Sequence, residues 1–322
     1  MNRVLKPMMV SIFIFMFSVS LHAAEGGIVR KQGQLRVDGT KLVSQSGDLV
    51  ILRGMSLFWS QWMGNFYNED CVEWLAEDWH CTLIRAAMGV EHGGYLEYPD
   101  VEIAKVSKVV DACIDLGIYV IVDWHDHRGE AHVSEAVSFF SKIAEKYGDC
   151  PNVIYEIYNE PLQVSWSDVV KPYADTVIAA IREIDPDNLI IVGTPTWSQD
   201  VDSVFLDPLM DSNVLYALHF YAGTHLTLRS KALTAIQNGL PLFVSEFGTC
   251  NADGNGDVNV EEMEAWMQFM EDHGISWCNW SIADKAETSA ALSAGASPKG
   301  GWKEDEITLS GKLIKNYLQC NK

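Results

Sequence analysis

The chain has 322 residues, of which 48% are hydrophobic, and carries a formal net charge of −21 with a pI near 4.7. This length supports one large core, and α/β barrels of this size commonly form a single domain. The negative charge argues against a nucleic-acid-binding protein, because a polyanion would be repelled, and it favours a neutral substrate.

The first residues have the pattern of a secretory signal peptide. Arg3 and Lys6 precede an apolar run over residues 8–21, and small residues follow at Ala23 and Ala24. The run is shorter than the roughly 20 residues that span a bilayer, so a retained membrane anchor is the less favoured alternative. We therefore predict a leader over residues 1–23 and one catalytic domain over 24–322. The mature protein is expected to be secreted or periplasmic, monomeric and without stable membrane contact.

Behind the leader, short alternating pieces around residues 33–39 predict a small β-hairpin below the main domain. Strand-like and helix-like segments then alternate to the end of the chain. The predicted strands are Leu49–Gly54, Cys81–Met88, Tyr119–His125, Asn152–Asn159, Leu189–Thr194, Val214–Tyr221, Leu242–Gly248 and Ile275–Ser281. Amphipathic stretches between them predict helices near 71–78, 101–116, 134–147, 166–184, 201–210, 228–238, 260–273 and 306–319.

Eight such repeats predict a single α/β domain, a (β/α)8 TIM barrel with a short N-terminal β-hairpin. An open, doubly wound sheet is the alternative, but no GxGxxG follows the first strand to favour it. The seven cysteines lack the spacing of a zinc site, and no disulfide pairing can be assigned. Cys113 and Cys278 lie in apolar elements and are predicted to be buried thiols. No metal or cofactor is expected.

Two predicted strands end at a glutamate. The run NVIYEIYNEP breaks at Asn159 and Glu160, and PLFVSEFG breaks at Glu246. In a parallel barrel the carboxyl ends of the strands meet at one open face, which is where catalytic groups are placed. Other polar or aromatic residues are predicted at the same face, and they are Arg85, His125, His219, Tyr221 and Trp280.

Any one of these side chains could simply satisfy loop backbone groups. Ionisable residues at the ends of several strands would be costly to stability without a function, so the set indicates an active site with paired carboxylates.

Six segments of the chain resemble glycoside hydrolase family five, and most closely its bacterial endo-β-1,4-glucanases. The segments are RAAMGVE (85–91), VIVDWHDH (120–127), VIYEIYNEP (153–161), ALHFYAGTH (217–225), VSEFGT (244–249) and WCNWSI (277–282). They occur in the family's order, and the similarity extends from about residue 33 to the last helix. The resemblance implies a β-1,4-glucan polysaccharide or oligosaccharide as the substrate.

The resemblance also implies a role for each residue. Glu160 would be the acid/base and Glu246 the nucleophile. Arg85 and Tyr221 would hydrogen-bond the nucleophile, and Asn159 would contact the sugar 2-hydroxyl. The remaining implied contacts are His125 and His219 lining the site, Trp280 stacking under the sugar, and Lys285 and Glu287 binding hydroxyls on the non-reducing side.

The chemistry of a retaining glycosidase accounts for this division. One carboxyl protonates the leaving oxygen and the other attacks the anomeric carbon, with the two only ~5 Å apart. Two carboxylates this close do not both ionise easily, so we expect a raised pKa for Glu160 and an ionised Glu246 beside Arg85.

Aromatic side chains near strand ends are candidate sugar platforms, because sugar C–H faces pack on aromatic rings. The candidates are Trp59, Trp62, Trp197 and Trp302, with core packing as the alternative for each. Many relatives carry a histidine after the first strand, where this chain has Phe58 and Trp59. This difference concerns the distal non-reducing subsite.

Several other functions stay open. Mannan, xylan, xyloglucan or mixed-linkage β-glucan could replace cellulose, because the loops set substrate choice. A metal-dependent barrel hydrolase would use His125 and His127, and a non-catalytic carbohydrate-binding barrel is a further alternative. The loop with Asp253, Asn255 and Asp257 departs from a calcium-binding pattern and is predicted to be a surface turn.

Overall fold

The computed structural model describes residues 27–320 of the chain. Its main body is a closed barrel of eight parallel strands, in the order β10-β3-β4-β5-β6-β7-β8-β9, as the sequence predicts. A separate two-stranded antiparallel sheet precedes it. The strands are β1 Arg36–Asp38, β2 Lys41–Val43, β3 Arg53–Leu57, β4 Leu83–Gly89, β5 Tyr119–His125, β6 Val153–Glu156, β7 Ile190–Val192, β8 Val214–Tyr221, β9 Leu242–Gly248 and β10 Trp277–Ile282.

Helices alternate with these strands and cover the barrel. The α-helices are Ile28–Gln32, Ser60–Met63, Glu69–Glu77, Pro99–Leu116, Val133–Tyr147, Lys171–Arg182, Pro195–Ser198, Leu228–Gln237, Val260–His273 and Leu309–Cys320, with a π-helical turn over Trp166–Val170. The predicted helix over 201–210 is wrong, since only a 3-10 turn forms at Val201–Ser203. The first barrel strand lies later than predicted, and β6 ends at Glu156 rather than Asn159.

The N-terminal hairpin closes the barrel at the amino ends of the strands. Val29, Leu35 and Leu42 pack in one apolar cluster with Leu83 and Tyr119, the first residues of β4 and β5. The Tyr119 hydroxyl also donates a 2.7 Å hydrogen bond to the Gly33 carbonyl. The predicted position of the hairpin below the barrel is thus confirmed, and the opposite end stays open.

Successive residues of each barrel strand point alternately outward and inward, and so they contribute to two different cores. Ile84, Val120 and Tyr155 face the helices and belong to the outer core, whereas Leu83 and Ile154 belong to the inner one. With a strand period of two, the next inward positions toward the open end are polar. They are Arg85, Asp123, His125, Glu156 and His219, all buried. The barrel interior therefore changes from apolar to charged along its axis.

A β-bulge interrupts the alternation in β9. Ala217 pairs with Phe243 and His219 pairs with Glu246, so three steps along β9 match two along β8. The pairing with β10 shows the same extra residue. A bulge of this kind redirects side chains. Here the adjacent residues Ser245 and Glu246 both contact groups inside the barrel.

Two sequence-based expectations concern the rest of the chain. All seven cysteines are free, and Cys113 and Cys278 are buried as predicted. The predicted leader over residues 1–23 lies outside the described residues. Within residues 27–320, no helix combines the length and the apolar character that crossing a bilayer requires.

Candidate active site

Glu246 lies at the floor of the open end of the barrel, between a cation and a phenol. Arg85 Nη1 donates to Oε2 at 3.0 Å, and the Tyr221 hydroxyl donates to Oε1 at 2.9 Å. The side chain is only 6% exposed. These contacts match the positions that the family resemblance implied for Arg85 and Tyr221, and they orient the carboxylate while supporting its charge.

Glu160 lies in the loop after β6, four residues beyond the last strand residue, Glu156. Each of its carboxylate oxygens contacts a histidine: His219 Nδ1 lies 3.0 Å from Oε1, and His127 Nε2 lies 3.1 Å from Oε2. Its side chain is 14% exposed. Glu160 thus reaches solvent and substrate while two imidazoles fix its orientation.

The two glutamates are close together. Carboxylate oxygens of Glu160 and Glu246, with a ring nitrogen of His219, all lie within 4.8 Å of one another. This separation is close to the about 5–5.5 Å of retaining glycosidases and below the about 6.5–9.5 Å of inverting ones.

Arg85 connects the site to the barrel interior. It is fully buried, and besides Glu246 it contacts Asp123 at 2.9 Å and Glu156 at 2.6 Å. Its Nη2 also donates to Asn159 Oδ1 at 2.6 Å. One guanidinium therefore balances three buried carboxylates and positions the asparagine beside the acid/base.

The pKa of Glu160 differs from the expectation. Burial raises the pKa of Glu160, but His127 and His219 outweigh burial and lower it to about 2. Burial and the neighbouring Glu160 carboxylate raise the pKa of Glu246, while His219 and Arg85 limit the rise. The expected raised pKa of Glu160 is thus wrong for the free site, because two imidazoles favour its charged form.

His219 carries the proton that the ionised Glu160 lacks. Burial lowers the pKa of His219, but the carboxylates of Glu156 and Glu160 outweigh it and raise that pKa to about 9. Because Nδ1 of His219 is hydrogen-bonded to Glu160, the two groups titrate as a pair that holds one proton. The acid is therefore present in the site, stored on the imidazole.

Asn159 and His125 complete the floor of the site. The Asn159 Nδ2 amide is buried and has no hydrogen-bond partner among the described residues, so it can donate to a sugar hydroxyl. His125 Nδ1 lies 2.6 Å from Asp123, and the His125 ring stacks on Trp280 with centroids 5.1 Å apart. The structure therefore brings the three predicted residues Asn159, His125 and Trp280 to one surface.

Two cavities meet at the carboxylates. One, of about 490 Å³, extends past Trp197, and the other, of about 240 Å³, extends past Trp59 and Trp280. Glu160 and Glu246 line both. The site is thus a cleft that continues on both sides of the glutamates.

Trp197 enters the cleft from an unusual backbone segment. Thr196, Trp197 and Ser198 all have positive φ, near 60°, 54° and 56°. The segment is bonded to the acid/base loop, with the Trp197 amide donating to the Pro161 carbonyl at 2.8 Å and the Ser198 hydroxyl donating to the Asn159 carbonyl at 2.7 Å. Such strain is tolerated mainly where it serves a function, and here it presents a 38% exposed indole to the cleft.

The other predicted platform residues differ in placement. Trp59 lines the smaller cavity, and Trp62 lies beside it with ring centroids 5.0 Å apart and 56% of its surface exposed. Trp302 is buried against Trp79, so it packs in the core and is not a platform.

The residues predicted to bind sugar hydroxyls on the non-reducing side also lie together in the cleft. Lys285 and Glu287 form an ion pair and line the smaller cavity. The Lys285 ammonium lies 4.4 Å from the centre of the Phe58 ring. Phe58, one of the two residues at the position where many relatives have histidine, thus packs against Lys285 of this subsite.

Several contributors were not predicted from the sequence. Asp123, Glu156 and Ser245 lie behind the reacting groups, and the sequence predicts a role for His127 only as a metal ligand of the alternative hydrolase. The signal for Asp123 and Glu156 was present, because a charged residue at an inward position of a buried strand needs a partner. For Ser245 the signal was alternation, since Ser245 lies two positions after Phe243 of the inner core, whereas the inward direction of Glu246 depends on the β9 bulge.

The metal-dependent alternative requires His125 and His127 to converge on one point. Instead, His125 contacts Asp123 and His127 contacts Glu160. Among the described residues, the group with converging ligand atoms is Glu160, His219 and Glu246, which contains neither histidine. The geometry therefore does not support a site built on His125 and His127.

A barrel with two carboxylates this close at the open end of its strands has the arrangement of a retaining glycoside hydrolase. Residues 43–286 match the family described as Cellulase (glycosyl hydrolase family 5). The chain belongs to this family.

The similarity to known relatives covers nearly the whole chain. Endoglucanase Z of Dickeya dadantii is 49% identical over 94% of this chain and 70% of the relative. An endoglucanase of Clostridium saccharobutylicum is 44% identical over 96% of this chain and 71% of the relative. The catalytic domain of Thermobifida fusca endoglucanase Cel5A superposes with a TM-score of 0.88 at 33% identity, covering 91% of this chain and all of that one. A further structure of that endoglucanase is a complex with cellotetraose.

Proposed function

We propose that the chain is an endo-β-1,4-glucanase that cleaves its substrate with retention, with Glu160 as acid/base and Glu246 as nucleophile. The observation that carries this proposal is the separation of the two carboxylates, whose oxygens approach within 4.8 Å. This distance leaves room for direct attack on the anomeric carbon and too little for a water molecule between carboxylate and sugar.

The reaction has two steps. Glu246 attacks the anomeric carbon while the glycosidic oxygen takes a proton from Glu160, and the C–O bond to the leaving sugar breaks. Glu160 then takes a proton from water, whose oxygen displaces Glu246 from the same carbon. Asn159, with its free amide donor, is placed to hold the sugar 2-hydroxyl as positive charge develops on the ring.

Internal cleavage of a polymer needs sugar-binding space on both sides of the cut bond. The two cavities that meet at Glu160 and Glu246 supply it, with Trp197 on one side and Trp59 on the other. The relatives that are endoglucanases, and the complex of one of them with cellotetraose, support a β-1,4-glucan as the substrate.

The substrate and stereochemistry can be tested together. Purified protein is incubated with carboxymethylcellulose, mixed-linkage glucan, xyloglucan, mannan and xylan, and the products are profiled over time. Proton NMR of the first cello-oligosaccharide products should show the β-anomer before mutarotation. Initial α-anomer would refute retention, and faster cleavage of mannan or xylan would refute the glucan assignment.

The pH dependence of kcat/KM should be bell-shaped. Activity should fall as pH rises through about 9, because the His219–Glu160 pair then loses the proton that the leaving group needs. It should fall on the acid side as pH drops through the raised pKa of Glu246, because the nucleophile becomes protonated. Rates on a soluble glucan from pH 4 to 10 would check this. A basic limb near 6.5, the ordinary histidine value, would contradict it.

A Trp197→Ala variant should bind glucan more weakly. Stacking of a sugar on an aromatic ring contributes about 1 kcal/mol, so KM for cello-oligosaccharides should rise about fivefold, with kcat changing less. Trp197→Phe, which keeps a ring, should lie between the variant and the wild type. An unchanged KM in Trp197→Ala would exclude Trp197 as a platform.

We further infer that the protein is exported and acts as a monomer outside the cytoplasm. The charged, apolar and small-residue pattern of residues 1–24 supports export. Expression of the full chain, followed by N-terminal sequencing of protein from the periplasm and the medium, should give a start near Ala24. Size-exclusion chromatography with light scattering should give one chain per particle.

A further inference from the structure

We propose that Ser245 and Glu156 are positioning residues for the acid/base step, because they hold His219 in the one tautomer that exchanges a proton with Glu160. Neither residue lines the cleft cavities, and both lie behind His219 as seen from the substrate side. The proposal rests on the proposed function, since it concerns the proton that Glu160 delivers.

The four side chains form a continuous hydrogen-bonded row. Ser245 Oγ lies 2.5 Å from Glu156 Oε1 and 2.9 Å from His219 Nε2. On the other side of the ring, His219 Nδ1 lies 3.0 Å from Glu160 Oε1. Glu156, Ser245 and His219 are all buried, so water does not compete for these bonds.

The direction of each proton follows from the donor inventory. Glu156 Oε2 accepts from Arg85 Nε at 2.6 Å, and Arg85 and His219 outweigh burial and lower the pKa of Glu156, so this carboxylate is an acceptor only. The single hydroxyl proton of Ser245 therefore points at Glu156. Its oxygen must then accept from His219, and Nε2 must carry a proton.

With Nε2 always protonated, only Nδ1 is free to gain or lose a proton. In the free enzyme Nδ1 holds it and donates to the Glu160 carboxylate. During glycosylation this proton passes to Glu160 and on to the glycosidic oxygen, leaving His219 neutral with its Nε2 proton in place. During deglycosylation Glu160 takes a proton from the attacking water and returns it to Nδ1, so the count is restored. The row acts as a fixed support and is not itself consumed.

The β9 bulge places the nucleophile beside this row. Phe243 belongs to the inner core, so strand alternation directs Ser245 inward, and without the extra residue it would direct Glu246 away from the barrel axis. With it, Ser245 reaches His219 and Glu156 while the next residue, Glu246, reaches Arg85 and Tyr221. The bulge therefore brings the nucleophile to the same side of β9 as the serine that supports the acid.

Several charged groups surround this row and contribute to its titration. They are Glu156 on β6, Glu160 in the loop that follows it, Glu246 on β9, Arg85 on β4, Asp123 and His125 on β5, and His127 in the loop after β5. Removal of the serine hydroxyl leaves all of them in place, so Ser245→Ala isolates the support of Nε2.

The test compares wild type, Ser245→Ala and Ser245→Thr on two aryl β-cellobiosides. 2,4-Dinitrophenyl cellobioside has a leaving group that needs little protonation, whereas phenyl cellobioside needs a full proton from Glu160. In Ser245→Ala the imidazolium loses a charge-assisted hydrogen bond. We expect the basic limb of kcat/KM for phenyl cellobioside to move down by about one to two pH units. At pH 8 the rate on this substrate should fall about two- to tenfold more than on the dinitrophenyl substrate, as the limb moves by one to two units from about 9.

Ser245→Thr keeps the hydroxyl. Its basic limb of kcat/KM and its ratio of rates on the two cellobiosides should match those of the wild type. Ser310→Ala is the matched control, because Ser310 is also buried, and its hydroxyl accepts from Thr249 at 2.8 Å away from the site. This control should leave the limb unchanged. Equal loss on both substrates with an unmoved limb, or a threonine variant that behaves like alanine, would overturn the proposal.

NMR gives a readout that does not depend on turnover. With ¹⁵N-labelled histidine, Nε2 of His219 in the wild type should stay protonated across the titration while Nδ1 changes, and Ser245→Ala should show a mixture of tautomers. Loss of the Nε2 proton first in the wild type would overturn the proposal even if the enzyme is active. Failure of wild type to cleave either cellobioside, with the expected NMR pattern, would instead refute the proposed glucanase function.

Discussion

A Glu246→Gln variant is expected to lose about 10,000-fold or more in kcat on soluble β-glucan while keeping its fold. The amide has nearly the same shape as the carboxylate, but it cannot form the glycosyl–enzyme bond. Its oxygen can keep one of the two hydrogen bonds that Arg85 and Tyr221 now donate. Reducing-sugar release and the melting temperature, measured on the same preparation, would check both parts.

Glu262→Gln is a suitable control for this variant. Glu262 is a 15% exposed carboxylate paired with Arg229, away from the cleft, so its neutralisation should leave kcat unchanged. A complementary measurement uses a 2-fluoro cellobioside with a good leaving group, which should label wild-type protein on the peptide that contains Glu246. Substantial activity in Glu246→Gln, or a label on another peptide, would remove Glu246 from the role of nucleophile.

The barrel and the carboxylate pair were both predictable from the sequence. Strands buried on both faces have continuous apolar runs, so β5, β8 and β9 were predicted with their observed bounds. A glutamate that breaks such a run at its carboxyl end must lie at the open face, which placed Glu160 and Glu246 together. In these cases the local sequence pattern and the barrel fold require the same residue types at the same positions.

Other features depend on contacts that no local pattern contains. The bulge in β9 turns Glu246 inward beside Ser245, whereas simple alternation from Phe243 would place only Ser245 inside. Trp197 needs three successive residues of positive φ, in a segment without glycine. The location of the acid proton also depends on two imidazoles, from His127 in the loop after β5 and His219 on β8, which lower the pKa of Glu160. These are tertiary effects, and they are concentrated at the active site.

An Arg85→Met variant is expected to be destabilised by about 3–5 kcal/mol in free energy of unfolding, because it leaves buried carboxylates without their cation. In the wild type Arg85 contacts Asp123, Glu156 and Glu246 within 3.0 Å, and none of the four side chains is more than 6% exposed. Activity should also fall steeply, since Glu246 and Asn159 lose the donor that positions them. Urea unfolding followed by tryptophan fluorescence would measure the stability loss.

The loss in Arg85→Met should grow as pH rises. Arg85 is a principal cause of the lowered pKa of Glu156 in the wild type, so that carboxylate stabilises the fold above its unfolded pKa and loses this contribution as pH falls. Without Arg85 burial raises the pKa of the same group, so the variant is most stable where the carboxyl is protonated and weakens as pH rises through its unfolded value. The difference between the two proteins should therefore be larger at pH 8 than at pH 5. Arg36→Met, which breaks an exposed pair with Asp38, should show little loss at either pH. A loss in Arg85→Met that is independent of pH would point to packing, and not charge, as the role of Arg85.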